Sequence, residues 1–167
     1  MSPFNALGIL SSPNPALTLA NFHPPKAVAV KLWNTYVNSV DGCAGLKLLH
    51  VPTDEIKVYS TIDNPSGAPF ENQALCLAIY YAATISMEDG DAQAILVLDK
   101  CAQLLSFKIG MEQALAQGDF LDRPTQTALL AMTIYLVRGE YFTIAITSLI
   151  TLSLQFESIT TGRESGF

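Results

Sequence analysis

"KLWNTYVNSVDGCAGLKLLHVPT", residues 31–53, contains the only tryptophan of the chain and one of its two histidines. Apolar side chains recur at steps of three and four residues over 27–40, which places Trp33 and Tyr36 on one stripe of a helix. The glycines of "DGCAG" end this helix, and Pro52 stops the short run "LKLLHV", because a residue before proline avoids the helical region. The stretch therefore predicts a helix, a break and the start of a second helix.

The second helix continues beyond this stretch, and a third is predicted after it. Segment 53–62 begins with Thr53 as a candidate N-cap, and Asp54 and Glu55 in its first turn interact favourably with the helix dipole. The loop "DNPSGAP" separates it from segment 71–87, "ENQALCLAIYYAATISM", which is apolar nearly all round and too short to span a membrane. We expect this second segment to be the central helix of the core.

The second half of the chain adds two more helical patterns. The longest covers 92–117 and is followed by Gly118, a natural C-terminal cap. Its predicted buried face carries Ala94, Leu98, Cys101, Leu105 and Met111. Another helix over 125–137 follows Pro124 and closes at Gly139. Together the patterns predict an all-α fold, an irregular array of about five to six helices.

The two ends of the chain differ from this helical middle. Residues 1–25 are rich in proline, serine and asparagine, so we expect a flexible leader before a helical domain over 26–140. Residues 141–167 form an apolar segment and a short polar tail. Periodicity does not distinguish strand from buried helix over 141–156; we favour helix, because no other segment offers a strand partner. These 16 uncharged residues are shorter than the about 20 that cross a bilayer, so a membrane span is not expected.

Composition excludes several classes of function. With 167 residues the chain is long enough for one hydrophobic core. Half of the residues are hydrophobic and 14% are charged, against about 25% in an average soluble domain, so much of the chain must be buried. The net charge is −6 and no basic run is present, so we expect no direct binding of nucleic acid by this chain. The three cysteines lack metal-ligand spacing and are expected to be small buried hydrophobes in a reducing compartment. They are Cys43, Cys76 and Cys101.

The sequence offers little catalytic chemistry. Neither a nucleophile elbow nor a phosphate-binding loop occurs, and His23 lies in the predicted leader. His50 has two readings, an acid–base or ligand group and a ring that packs on a helix and bonds a backbone carbonyl, and we favour the second. The acidic residues at 88–91, like Asp119 and Asp122, are interpreted as solvated turns rather than calcium ligands. We therefore expect no enzyme, no cofactor, no metal and no catalytic residue.

The opening stretch resembles the pattern LWxxYxxxV, a spacer and KxLHxPT, which begins the fungal-specific transcription factor domain. This domain is the middle homology region of zinc binuclear-cluster regulators. "ENQALCLAIYYAATISM" and "MEQALAQGDFLDRPTQTALLAMTIYLV" are similar to its later helices, so the resemblance runs from about Leu32 to Val137. It implies a partial regulatory domain in which Trp33 and Tyr36 pack the first helix, while the residues from His50 turn the chain into the second. The signature residues, all structural, are Leu32, Trp33, Tyr36, Val40, His50, Pro52 and Thr53.

Two parts of the family pattern are missing. The family's six-cysteine DNA-binding cluster is absent, as is its glycine-leucine-histidine-arginine type motif after Arg138. The chain is expected to be a truncated product, a gene model with a misread last exon, or a short protein that kept half of the domain. In each case we expect a nuclear transcription-regulator-like protein, with a secondary-metabolism gene cluster as a suitable setting. It would lack a DNA-binding module and act through protein contacts, with a full-length regulator or by self-association.

An alternative from another class remains. A small helical accessory protein or enzyme could bind an apolar metabolite in a mostly apolar pocket. The side chains considered for such a pocket are Tyr80, Tyr81, Met87 and Phe107.

Overall fold

Six α-helices form the framework of the computed structural model, which describes residues 13–41 and 47–138. The chain divides between Tyr135 and Leu136 into two units, and the architecture below concerns the first. The helices are α1 Lys26–Thr35, α2 Val51–Asp63, α3 Phe70–Ser86, α4 Asp89–Ile95, α5 Lys100–Gln117 and α6 Gln126–Arg138. Shorter elements are the 3-10 helices Leu19–Phe22 and Pro65–Gly67 and the π-helical turn Tyr36–Asp41. No strand occurs in these ranges, which confirms the predicted all-α fold.

Helix α3 is the centre of the core. Every residue from Gln73 to Tyr80 is buried, and the helix packs mainly on α5 with further contacts to α1 and α2. A helix that is apolar nearly all round needs partners on every side, and its alanines let neighbouring backbones approach closely. The prediction for 71–87 is therefore confirmed.

The aromatic stripe of α1 lies in this core. Leu32, Trp33 and Tyr36 are fully buried, and Val40 at the end of the π-helical turn is also buried. At the junction the N–H of Tyr36 donates to the carbonyls of Leu32 and Trp33, and the wider π-helical turn Tyr36–Asp41 follows directly. The wider turn keeps Val40 on the buried side of the segment.

The face predicted for segment 92–117 is wrong. The segment is broken into α4 and α5, and Asp99 caps α5 by accepting the N–H groups of Cys101 at 2.8 Å and Ala102 at 3.4 Å. The break resets the helical phase, so one apolar stripe cannot be drawn across it. Of the five predicted side chains only Met111 is buried. Ala94, Leu98, Cys101 and Leu105 are exposed.

The buried face of α5 is instead set by Phe107, Met111, Ala114 and Leu115. Gly118 ends the helix, as predicted, and its N–H bonds the carbonyl of Ala114.

Residues 14–23, here called the N-terminal strap, are packed where the sequence predicted a flexible leader. The N–H of Asn14 donates to Gln113 Oε1 at 3.0 Å, and Gln117 Nε2 donates to the carbonyls of Asn14 at 3.2 Å and Leu17 at 3.4 Å. Leu19 is buried in the core. Side-chain amides of α5 thus satisfy backbone groups of the strap, which composition alone could not reveal.

The strap is seated over a glycine of α5. A Cβ atom built on Gly110 would lie 2.6 Å from Phe22 Cβ and 2.7 Å from Phe22 Cγ. These separations are well below van der Waals contact, so only glycine leaves room for the Phe22 ring at this position. The strap and α5 are fitted to each other at this point.

His23 ends the strap in an apolar setting. Its ring meets Tyr80 edge to face with centroids 6.0 Å apart, and both ring nitrogens are buried without a hydrogen-bond partner in the described chain. Burial lowers the pKa of His23 to about 4, because the charged imidazolium would lose its hydration. The ring is therefore neutral in the folded protein near pH 7.

This buried imidazole predicts acid sensitivity. Between the unfolded pKa of 6.5 and the folded value near 4, the unfolded chain binds a proton that the folded chain does not. The free energy of unfolding is therefore unaffected by His23 above pH 6.5. It falls as the pH decreases from 6.5 towards 4, by about 1–2 kcal/mol at pH 5. Urea unfolding at pH 7.5 and pH 5 measures the effect. Between these two pH values His23→Phe should not show the part of the stability loss that comes from protonation of His23. His50→Gln is the control and should keep it; an equal loss in wild type and His23→Phe would contradict the assignment.

The cysteines are only partly as predicted. Cys76 is buried, and burial raises its pKa to about 12, so its thiol is unreactive near neutral pH. Cys101 is exposed, because it lies in the first turn of α5 on the solvent side, and Cys43 lies outside the described residues.

None of the described helices combines the length and apolar character that crossing a membrane requires. The prediction for 141–156 concerns residues outside the described ranges.

Candidate functional site between helices α2 and α6

The first turn of α2 is held by Asp54 rather than by the predicted N-cap Thr53. Helix α2 begins at Val51, and Asp54 Oδ2 accepts the N–H of His50 at 3.0 Å, reaching back to the residue before the helix. Pro52 fits the first turn, where a missing N–H has no helical partner to lose. Thr53 uses its hydroxyl differently, since its Oγ1 lies 2.9 Å from His50 Nδ1.

His50 is exposed, which corrects the prediction that its ring packs on a helix and bonds a backbone carbonyl. The early start of α2 explains the difference. With His50 immediately before the helix, its backbone N–H turns inward to Asp54 while its ring pairs with Thr53 at the surface.

A second carboxylate fixes the approach to α2. Asp41, at the end of the π-helical turn, is buried, and its Oδ1 accepts the N–H groups of Leu48 at 3.2 Å and Leu49 at 3.5 Å. These bonds join the end of the first helical segment to the residues that lead into α2. They also position Leu48 beside the first turn of α2.

Lys57 connects α2 to α6. Its Nζ lies 3.0 Å from Asp54 Oδ1 and 3.4 Å from Thr127 Oγ1. Asp54 is 5% exposed and uses both oxygens, one for His50 and one for Lys57. An ammonium group has three N–H donors, so two of those on Lys57 have partners in the described chain. Each partner of the ion pair makes a further hydrogen bond, Asp54 with the N–H of His50 and Lys57 with Thr127. These bonds distinguish the pair from a mobile surface ion pair.

Helix α6 supplies the opposite wall. Thr125 Oγ1 accepts the N–H of Ala128 at 3.1 Å and so caps the helix at its start. Ala131, Ile134 and Tyr135 are buried, and the Tyr135 ring lies 5.2 Å from that of Tyr81 on α3. The helix predicted over 125–137 is confirmed, with its inner side on the core and its first turns facing α2.

Between these walls lies a cleft of about 410 Å³. Its lining is mixed, with polar groups from α2 and α6 and leucine side chains beside them. Residues that matter below are Leu48, His50, Thr53, Lys57, Thr127 and Leu129. Leu129 is 50% exposed, so its apolar surface is open to whatever enters.

The structure separates the family-signature residues into two groups. Leu32, Trp33, Tyr36 and Val40 lie in the core. His50 and Thr53 line the cleft, whereas Pro52 is exposed at the start of α2. Sequence reasoning missed Lys57 and Thr127. The three-residue spacing of Asp54 and Lys57 on a helix was a usable signal, but the separation of 70 positions between Lys57 and Thr127 hid the second contact.

The side chains considered for an apolar metabolite do not line this cleft. Tyr80 and Phe107 are fully buried with ring centroids 5.6 Å apart, and Met87 is buried as well. Tyr81 is engaged with Tyr135. Tyr80, Met87 and Phe107 belong to the core, and Tyr81 is partly buried against it, so the four do not line a shared pocket in the described unit.

In the described residues no three His, Cys, Asp or Glu side chains are grouped so as to hold a metal ion. Asp89 and Asp91 lie in the first turn of α4, and Asp89 Oδ1 pairs with Lys100 Nζ at 3.1 Å.

Comparison with known proteins identifies relatives along most of the chain. The aurofusarin cluster transcription factor of Gibberella zeae is 24% identical over 136 residues, which cover 81% of this chain and 20% of that protein. The pyriculol/pyriculariol biosynthesis cluster transcription factor 1 of Pyricularia oryzae is 29% identical over 134 residues, covering 78% of this chain and 17% of the relative. A C6 finger domain transcription factor of Aspergillus fumigatus is 31% identical over 132 residues, or 77% and 17% of the two chains.

No family model matches the chain, and no solved structure matches it. The chain spans about one fifth of the length of the curated relatives it matches. Over about four fifths of its own length this chain is homologous to fungal C6 zinc-finger cluster transcription factors, which confirms the predicted resemblance.

Proposed function

We propose that this chain is a helical regulatory segment of a fungal transcription regulator that works in the nucleus through protein contacts, without binding DNA itself and without catalysing a reaction. The observation that carries the proposal is the alignment of most of the chain with proteins named as cluster transcription factors. The charge of the chain supports it: 15 acidic against 9 basic side chains do not suit a phosphate backbone.

The outer surface of α5 supports protein contacts. Leu105 is 57% exposed, and Leu98 and Ile109 are also exposed. Leu105 and Ile109 are four residues apart and so share one side of α5, while Leu98 lies just before the helix begins. Charged residues are usually sparse at the centre of a protein interface, and apolar side chains are favoured there. The partner that we propose is a full-length regulator carrying a region of the same family.

A tethering experiment tests this function. The chain would be fused to a heterologous DNA-binding domain in cells that also express one full-length relative, with a reporter gene downstream. We expect the fusion to alter reporter transcription only when the relative is present, and Leu105→Glu to abolish the effect. Ile56→Glu is the matched control, because Ile56 is 71% exposed on α2 and lies off this surface.

Two results would count against the function. One is a reporter response that is the same for the wild-type chain and Leu105→Glu. The other is salt-dependent binding of DNA by the purified chain in a mobility-shift assay.

A further inference from the structure

The α2–α6 cleft places the ammonium group of Lys57 beside exposed leucine side chains. Its volume of about 410 Å³ lies in the range of about 300–1,000 Å³ that is usual for small-molecule sites. Such sites are mainly apolar and carry a few fixed polar groups. This cleft has a larger polar share: Lys57 comes from α2, while α6 contributes Leu129 and Leu130 beside threonine and glutamine side chains.

Lys57 is the fixed polar group. Asp54 and Thr127 take two of its three N–H donors, at 3.0 and 3.4 Å, and so hold the ammonium at the cleft. Both oxygens of Asp54 already accept hydrogen bonds, so this carboxylate is committed to the protein. The third N–H of Lys57 remains for an acceptor atom of a ligand.

Charge balance selects the kind of acceptor. Asp54 already compensates the charge of Lys57, and the chain as a whole carries −6. A carboxylate ligand would therefore gain little from Lys57 and would be repelled by the rest of the chain. A ketone carbonyl or a phenolic oxygen accepts the same N–H without that repulsion.

Leu129 defines the other half of the ligand. Its half-exposed side chain lies in the same cleft as Leu48 and Leu130. A flat aromatic body laid on these side chains would remove apolar surface from water, whereas a sugar or other polar body would not. Because Thr53 occupies Nδ1 of His50, its other ring nitrogen is left for a hydroxyl group at the rim.

We propose that this cleft is a binding site for a small neutral aromatic molecule that bears a carbonyl or phenolic oxygen, with that oxygen accepting from Lys57 Nζ and its ring on Leu129. The assignment does not depend on the protein contacts proposed above, since it uses residues of α2 and α6 rather than the exposed surface of α5, and a different test.

The test titrates three related probes into the purified full chain and follows amide chemical shifts by NMR. The probes are an acetylnaphthol, which has a ketone and a phenol, the corresponding hydroxynaphthoic acid, and ethylnaphthalene, which lacks both oxygens. We expect saturable shifts in the first turns of α2 and α6, with the acetylnaphthol binding most tightly.

Two variants then assign the contacts. Leu129→Ala should weaken the acetylnaphthol about tenfold, equivalent to about 1.4 kcal/mol, whereas Leu121→Ala should leave it unchanged. Leu121 is a matched control, because it is a similarly exposed leucine outside the cleft. Lys57→Met keeps most of the apolar stem but removes the donor, so it should abolish the preference for the acetylnaphthol over ethylnaphthalene. Amide spectra of each variant without probe establish that it is folded.

Several outcomes would overturn the proposal. These are no saturable shift at millimolar probe, equal affinities in wild type and Leu129→Ala, and a preference for the oxygen-containing probe that survives in folded Lys57→Met. Tighter binding of the hydroxynaphthoic acid would overturn the neutral acceptor and with it the assigned ligand class.

Discussion

Replacing Trp33 with alanine is expected to lower the free energy of unfolding by about 3–5 kcal/mol, the cost of truncating a large buried aromatic side chain. Trp33 is 2% exposed and is among the largest fully buried side chains of the described chain. It lies on α1, which packs on the central helix α3. Small domains are stable by only about 5–15 kcal/mol, so this single change removes a large share of the total.

Urea unfolding followed by far-ultraviolet circular dichroism measures this effect. Fluorescence is unsuitable, because Trp33 is the only tryptophan of the chain. Ile56→Ala is the control: Ile56 is 71% exposed on α2, and its truncation should change stability by less than about 0.5 kcal/mol. A Trp33→Ala protein within 1 kcal/mol of wild type would show that α1 is not part of the cooperative core.

Gly110→Ala is expected to lower stability by about 2–3 kcal/mol, although alanine is the better helix former by about 1 kcal/mol. The added Cβ would lie 2.6 Å from Phe22 Cβ and 3.2 Å from Leu77 Cδ1. Leu77 is fully buried, so the relief must come from the strap. We expect Phe22 to be displaced and the strap to lift from α5.

Hydrogen exchange and a double-mutant cycle test this mechanism. In Gly110→Ala the amides of Asn21 and His23, which bond Thr18 and Ala20 in the folded chain, should exchange faster. Phe22→Gly removes both close atoms, so adding Gly110→Ala to that variant should cost less than about 0.5 kcal/mol. If the glycine replacement costs the same in both backgrounds, the clash with Phe22 is not its cause.

The helices that could be read from the sequence are those with an unbroken pattern. Segment 71–87 is apolar nearly all round, which predicts a buried helix, and it forms α3. The segment after Pro124 forms α6. The pattern over 92–117 misled, because Asp99 starts a new helix and shifts the buried face to Phe107 and its neighbours. A cap residue inside an apolar pattern looks like any other polar position until the backbone is known.

The cleft was half visible in the sequence. The signature "LHVPT" marked His50 and Thr53, but as structural residues at a turn. The structure gives them a second property, because the early start of α2 leaves both side chains in a cleft with Lys57. The partner wall depends on Thr127 and Leu129, which are far away in the chain and carry no motif.

By itself the sequence determined the all-α class, the central helix and the kinship with fungal transcription factors, because local periodicity and motif spacing are properties of the chain alone. Only the tertiary structure decided that the strap packs over Gly110, that α5 turns Leu105 outward, and that Lys57 meets Thr127. Each of these depends on which side chains, distant in the sequence, come into contact. The packing of the helices decides those contacts.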